Sequence, residues 1–207
     1  MAIATLSRFT VPLATDQSAS NQGMLFPKMS NRFRITLENF GVSKPTTELT
    51  KQVQDAARPK TSTDNQVIHV YNSQINIAGK YKWDSFSISL RDDVTGAVSK
   101  LVGEQMQKQF DFYEQSAAAS AGDYKFTTRI EILDGGNGAN APVVYETWEC
   151  YGCYITTTDY SALKYSEATP LLITMVIQPD NCIQTGAGAG LGTTGFKHTH
   201  GTLAVGG

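Results

Sequence analysis

Between Gln74 and Asp93 the chain reads QINIAGKYKWDSFSISLRDD, and this stretch constrains the fold more than any other. It opens on a short apolar alternation, Ile75 and Ile77, breaks at Ala78-Gly79 and resumes with Trp83. Phe86, Ile88 and Leu90 then alternate strictly with Ser85, Ser87, Ser89 and Arg91. A period of two puts the first set on one face of a β-strand and the second set on the other. One face therefore belongs in a core. The other presents small polar groups, as a half-buried antiparallel sheet does.

The rest of the chain is consistent with a β-rich body. Its 207 residues suffice for one large domain or two small ones, and 41% hydrophobic with 17% charged residues marks a folded chain poor in charge. The formal charge of −2 argues against a nucleic-acid binder, whose affinity comes from clustered Lys and Arg displacing counterions. Charge is uneven: residues 1–60 carry a net +4 and the remainder −6. A basic arm docking on an acidic body and plain solvating loops are both compatible with that. No apolar run approaches the roughly 20 residues of a membrane helix. Arg8 follows the first short apolar patch instead of preceding it, so a secretory signal is not expected. Three cysteines with no export signal fit free thiols in a reducing compartment.

Residues 1–30, rich in Ser, Thr, Gln and Ala, read as an N-terminal arm that is flexible or ordered only at an interface. The first strand is expected over Arg32 to Phe40, with Phe33, Ile35 and Leu37 on one face. Leu49, Val53 and Ala56 share a helical face and predict a short helix near Thr47 to Ala57 within the long 41–65 connection. Val67 to Tyr71 reads as a strand. After Asp92-Asp93 the period lengthens to near four: Val94, Val98, Val102, Met106 and Phe110, with Leu101 and Tyr113 alongside. That predicts one amphipathic helix of about five turns, capped by Asp93, braced by Glu104 with Lys108, and stopped at Gly122. Phe126, Ile130 and Ile132 alternate with Thr127, Arg129 and Glu131. Val143 to Tyr151, Tyr154 to Thr157 and Leu171 to Gln178 complete the strands, with DGGNGANAP as a hairpin turn. The body spans 31–184, and 185–207 is a Gly-rich flexible tail. The fold class is mainly β: an antiparallel sandwich or barrel with one amphipathic helix packed on one side.

Signals for chemistry are weak. Cys150-x-x-Cys153 lacks the second pair that a zinc site needs, since Cys182 stands alone, and a buried free cysteine behaves as a small hydrophobe. His198-x-His200 has no third ligand in its Gly-rich surroundings, and His69 falls in a strand. GAGAGLG at 186–192 has Thr193 where a dinucleotide motif needs glycine, and GGNG at 135–138 is a turn. Asp92-Asp93 sit where a helix needs a cap. No catalytic residue, metal ligand or cofactor is assigned.

With chemistry set aside, the ordered set of segments carries a resemblance. FRITLENF leads through a loop to NSQINIAGKYKWDSFSISLRDD, then to a helix ending near QKQFDFYEQSAAASAG, a hairpin pair, the loop DYSALKYSEATP and a last strand LLITMVI. From about Asn31 to Gln184 this resembles the tail tube proteins of contractile-tailed bacteriophages (myoviruses). Ile75, Asn76, Ala78, Gly79, Trp83 and Asp92-Asp93 are the nearest residues. The N-terminal arm, the long 41–65 connection and the Gly-rich tail depart from the compact form of that family.

The resemblance implies a structural virion protein. Its subunits form homohexameric rings whose sheets join edge to edge, and rings stack into the inner tail tube, the conduit through which DNA passes without specific binding. Implied partners are the chain itself, the tail sheath protein, the baseplate and the tail terminator; the implied location is the virion tail, with assembly in host cytoplasm. Open strand edges invite such pairing, and a closed ring removes them. Candidate lumen or inter-subunit residues are Asn76, the Ser85, Ser87, Ser89 and Arg91 face, and the Thr127, Arg129 and Glu131 face. The helix is expected on the side away from the lumen. Alternatives are the inner tube of a phage-like injection device or type VI secretion system, a baseplate or terminator subunit sharing the fold, and a monomeric sugar-binding β-sandwich. For the last, Tyr151, Tyr154, Tyr160 and Tyr165 would be the contact aromatics.

Overall fold

A computed structural model describes residues 28–43, 46–135, 141–186 and 191. The chain divides into two compact units, residues 1–31 and 32–207, and the second holds the elements below. Residues 1–27 of the expected 1–30 arm, residues 136–140 of the expected hairpin turn, and the tail residues 187–190 and 192–207, with His198 and His200, lie outside the described residues.

In chain order the elements are β1 (Phe33–Glu38), β2 (Thr46–Glu48), β3 (Val53–Ala56), β4 (Lys60–Val70), β5 (Ser73–Asp84) and β6 (Phe86–Arg91). They continue with α1 (Ala97–Gln109), β7 (Phe110–Asp111), β8 (Ser116–Ala117) and α2 (Ala121–Tyr124). The chain then forms β9 (Phe126–Leu133), β10 (Val144–Tyr160), β11 (Leu172–Gln178) and β12 (Asn181–Gly186). Eight strands form an antiparallel sheet in the order β2-β1-β9-β10-β11-β6-β3, with β12 also paired to β10. The expected mainly β, antiparallel architecture is what forms.

One strand serves both halves of this sheet. The 17-residue β10 pairs through its first part with β9 and β12, and through its last part with β11. Tyr154 to Thr157, which looked like a separate strand, is thus the far end of β10. Between the two parts the register slips at Cys150/Cys153, where Gly152 adopts φ 64. Only glycine is at ease there, and a Cβ would also collide with the Asp180 carboxylate.

The two halves share one core. Ile35, Leu37, Phe126, Ile130 and Trp148 come from the first half; Phe86, Ile88, Leu90, Ile173, Met175 and Ile177 come from the second. Trp83 and Trp148 pack edge to face with centroids 6.5 Å apart, and Phe40 meets Phe126 the same way at 4.9 Å. The alternation in β6 and β9 is realised as read from the sequence, with Phe86, Ile88, Leu90, Phe126 and Ile130 buried and Ile132 half-buried, and β11 forms within the expected Leu171 to Gln178.

Several local expectations are corrected. No helix forms over 47–57. Gln52 and Val53 donate to Leu49 O at 2.9 and 3.0 Å, a single turn that leads into β3 and buries Leu49 and Val53. One turn suffices to produce the four-residue spacing. The main helix starts at Ala97 and ends at Gln109, so Val94, Phe110 and Tyr113 are exposed, and 110–117 folds into the small β7–β8 hairpin. Asp93 does accept the Ala97 N–H at 3.0 Å, with Gly96 at the cap position. Glu104 pairs with Lys100 at 3.8 Å and not with Lys108, which donates to Asn39 O at 3.3 Å. Gly122 lies inside α2 and stops nothing. β12 is a strand where the sequence suggested the approach to a tail.

Candidate assembly surface

The polar residues singled out from the sequence fall in separate places. On the second half of the sheet, β6 is flanked by β11 and β3, pairing Ser87 with Val176 and Ser89 with Thr174 and Asp55. Ser89 is buried and accepts the Thr174 hydroxyl at 3.2 Å, Ser87 is half-buried, and Ser85 and Arg91 are exposed. The β6 side chains on this face are small and polar up to Arg91, and Asp55 adds a carboxylate beside Ser89.

On the first half, Thr127, Arg129 and Glu131 of β9 lie on one half-buried face. Arg129 bridges Glu38 and Glu149, at 3.0 Å each, and Glu131 pairs with Arg34 at 2.5 Å. The Tyr151 hydroxyl donates to Glu149, and that bond raises the tyrosine pKa. This face is a closed ion-pair ladder across β1, β9 and β10, in which both guanidinium groups already have carboxylate partners.

Asn76 belongs to a third place, which sequence reasoning only partly found. β4 and β5 pair only with each other among the described residues and form an isolated two-stranded ribbon. The ribbon continues the edge of the sheet: β3 pairs with β6, and the same two chain segments run on as β4 and β5. Eleven and twelve residues at about 3.3 Å each make an extension of roughly 35 Å. The Ala78-Gly79 step does not interrupt it. β5 bulges here, with Gly79 and Lys80 opposite the single residue Asp64, and a Cβ on Gly79 would lie 2.9 Å from Asp64 O.

The register sorts this ribbon into two faces. Val67 opposes Asn76 and His69 opposes Gln74, and Asn65 Nδ2 donates to Asn76 Oδ1 at 3.1 Å, so one face is largely polar. Ile68 opposes Ile75, Gln66 opposes Ile77 and Val70 opposes Ser73, so the other carries Ile68, Val70, Ile75 and Ile77. These four are 45 to 55% exposed. A two-stranded ribbon is marginal in water alone, and β-branched side chains on one face without a core are what an intermolecular contact would cover. Ile75 and Ile77 were visible as an alternation; that they remain about half exposed, outside the buried core of the described residues, was not.

The cysteines are buried free thiols, and no cluster of three His, Cys, Asp or Glu suited to a metal occurs among the described residues. A cleft of about 790 Å³ lies beneath the 161–171 loop, beside the exposed Leu163 and Tyr165 and the Lys164–Glu167 pair. It contains no nucleophile–base arrangement.

No protein-family model and no curated protein matches the sequence. The fold does match solved structures, among them chains from contractile injection systems. A chain of the six-fold-symmetrised baseplate of the anti-feeding prophage aligns with TM-score 0.60 and 11% identity, covering 79% of this chain and 98% of that one. A chain of the tube-terminating cap of the same particle gives 0.59 and 10%, covering 83% and 99%. A chain of the sheath–tube complex of an extracellular contractile injection system, PVC, in its extended state gives 0.54 and 13%, covering 78% and 93%. The resemblance to tail tube proteins read from the sequence is thereby borne out in the fold.

Proposed function

We propose that this chain is a self-assembling tube subunit of a phage-like contractile tail. Six copies form a ring, rings stack, and the bore conducts DNA. The observation that carries the reading is the β4–β5 ribbon, which extends a sheet edge by roughly 35 Å and exposes an apolar face. A second copy is the natural cover for it, because a head-to-tail contact closes into a ring whose two different faces can stack. Both sheet faces suit a passive conduit. One presents mainly small polar groups beside Asp55 and Arg91, the other has its arginines neutralised, and a polyanion would bind neither strongly. Sheath, baseplate and terminator proteins are the accompanying partners, and the virion tail is the location.

The solved structures named above come from an anti-feeding prophage and an extracellular contractile injection system, which favours a second reading: the same tube carrying protein cargo. Negative-stain electron microscopy of the purified chain tests the shared part. Rings or tubes of uniform bore are expected, and a dispersed monomer at high concentration would overturn it. Whether DNA or polypeptide copurifies with tubes isolated from the native particle then separates the two readings.

A further inference from the structure

Three thiols lie in the core beside the edge strand β12, and two of them are paired by the register. Cys150 of β10 stands directly opposite Cys182 of β12. The backbone tells which kind of pair this is. Gln184 N–H donates to Leu191 O at 3.0 Å, and therefore points away from β10. Hydrogen-bonding direction repeats every second residue, so Cys182 also turns its N–H and C=O outward. Cys150 and Cys182 thus form a non-hydrogen-bonded pair, the closer of the two antiparallel kinds, with Cα atoms about 4.5 Å apart. A disulfide tolerates Cα separations of roughly 4.4–6.8 Å. Contact with the Cys182 thiol, and then burial, raise the Cys150 pKa.

We propose that Cys150 and Cys182 are a latent cross-strand disulfide site that, once oxidised, fastens β12 to β10. This does not depend on the assembly reading above. A low-molecular-weight disulfide such as oxidised glutathione serves as the oxidant. The Cys182 thiolate attacks one sulfur of the oxidant and expels one glutathione thiolate, which takes up the proton that Cys182 released. The Cys150 thiolate then attacks the Cys182 sulfur of the mixed disulfide and expels the second glutathione. Two protein thiols are oxidised and one oxidant disulfide is reduced to two thiols. Access comes through β12, which among the described residues pairs with β10 alone, and whose local opening uncovers both thiols. Cys153 is set apart from this pair. It lies beyond the Gly152 bulge, opposite Phe126, and its thiol donates to Cys150 O at 3.2 Å.

The test is incubation of the purified full-length chain with oxidised glutathione at mildly alkaline pH, with and without sub-denaturing urea to promote opening of β12, followed by peptide mapping. The expected product has lost two hydrogens, links the Cys150 and Cys182 peptides and leaves Cys153 alkylatable. Its thermal midpoint rises by about 5–10 °C and falls back on reduction. Cys153→Ser should oxidise as the native chain does, whereas Cys182→Ser should not form an intramolecular bridge. A bridge involving Cys153, or no bridge in the native chain under either condition, would overturn the proposal.

Discussion

The side-chain amide of Gln109 and the main chain of Ile155 exchange two hydrogen bonds: Nε2 donates to Ile155 O and Oε1 accepts from Ile155 N–H, each at 3.0 Å. The pairing falls where β10 and β11 slip register, so a helix side chain stands in for a missing strand neighbour. One turn earlier Gln105 does a similar task, accepting from Gly41 N–H and donating to Tyr124 O. Both glutamines are buried, and together they tie α1 to the ends of the sheet.

Gln109→Ala should therefore destabilise the chain by about 2–4 kcal/mol, since it leaves a buried N–H and a buried C=O unpaired and opens a void. Gln109→Leu should cost nearly as much despite filling the space. Urea unfolding checks both; a leucine variant as stable as the native chain would show that the two hydrogen bonds contribute little.

Glu104 governs the acid response of the 41–43 loop. Its carboxylate accepts from the Ser43 hydroxyl and from the Ser43 and Val42 N–H groups, the latter two at 2.9 Å. These bonds, the hydroxyl first, lower its pKa from 4.5 to about 2, with Lys100 assisting. Because the folded value lies below the unfolded one, the contribution is complete above about pH 4.5 and is lost as pH falls towards 2. Glu104→Gln should lower the thermal midpoint at neutral pH, and the difference from the native chain should shrink to nothing across that window. Parallel curves down to pH 2 would assign the acid response elsewhere.

How much of this was legible in the sequence depended on whether a residue's neighbour was a core. Ile35, Ile88 and Ile130 alternate with polar residues on the opposite, less buried face of their strands, and the strands followed from that. Ile68 and Ile75 alternate equally well with no core beneath them among the described residues, so periodicity could not separate a sandwich strand from the ribbon. Gln105 and Gln109 were invisible for the opposite reason: they are polar side chains on the buried face of α1, kept there by backbone groups far away in sequence. β12 offered only Cys182 as a fully buried side chain in a stretch leading into Gly-rich sequence. Of the candidate surface, the polar faces could be read as faces; what meets them is a property of other copies or partners.

Gly152 is the hinge of β10. Its φ of 64 costs most residues about 1 kcal/mol, and a methyl group would also displace Asp180 from its ion pair with Lys125. Gly152→Ala should lower stability by about 1–3 kcal/mol with an unchanged denaturant slope, a loss read as a lower urea midpoint. A midpoint equal to the native one would mean that the bulge relaxes without cost.

The ribbon gives the sharpest separation of folding from assembly. Replacing Ile68, Ile75 and Ile77 by threonine retains β-branched side chains and thus the strand conformation, while removing the apolar face. In the isolated subunit these positions are about half exposed, so the thermal midpoint should shift little, by no more than the loss of one Ile68–Ile75 cross-strand contact of about 0.2–1 kcal/mol. If a second copy covers this face, finishing the burial of each isoleucine contributes about 1 kcal/mol. Three substitutions then weaken each contact by about 3 kcal/mol, or more than a hundredfold in affinity. Repetition around a ring and along a stack multiplies that loss. Light scattering and electron microscopy should find a folded monomer where the native chain forms rings or tubes. Assembly of the triple variant at native concentrations would rule this face out as the contact.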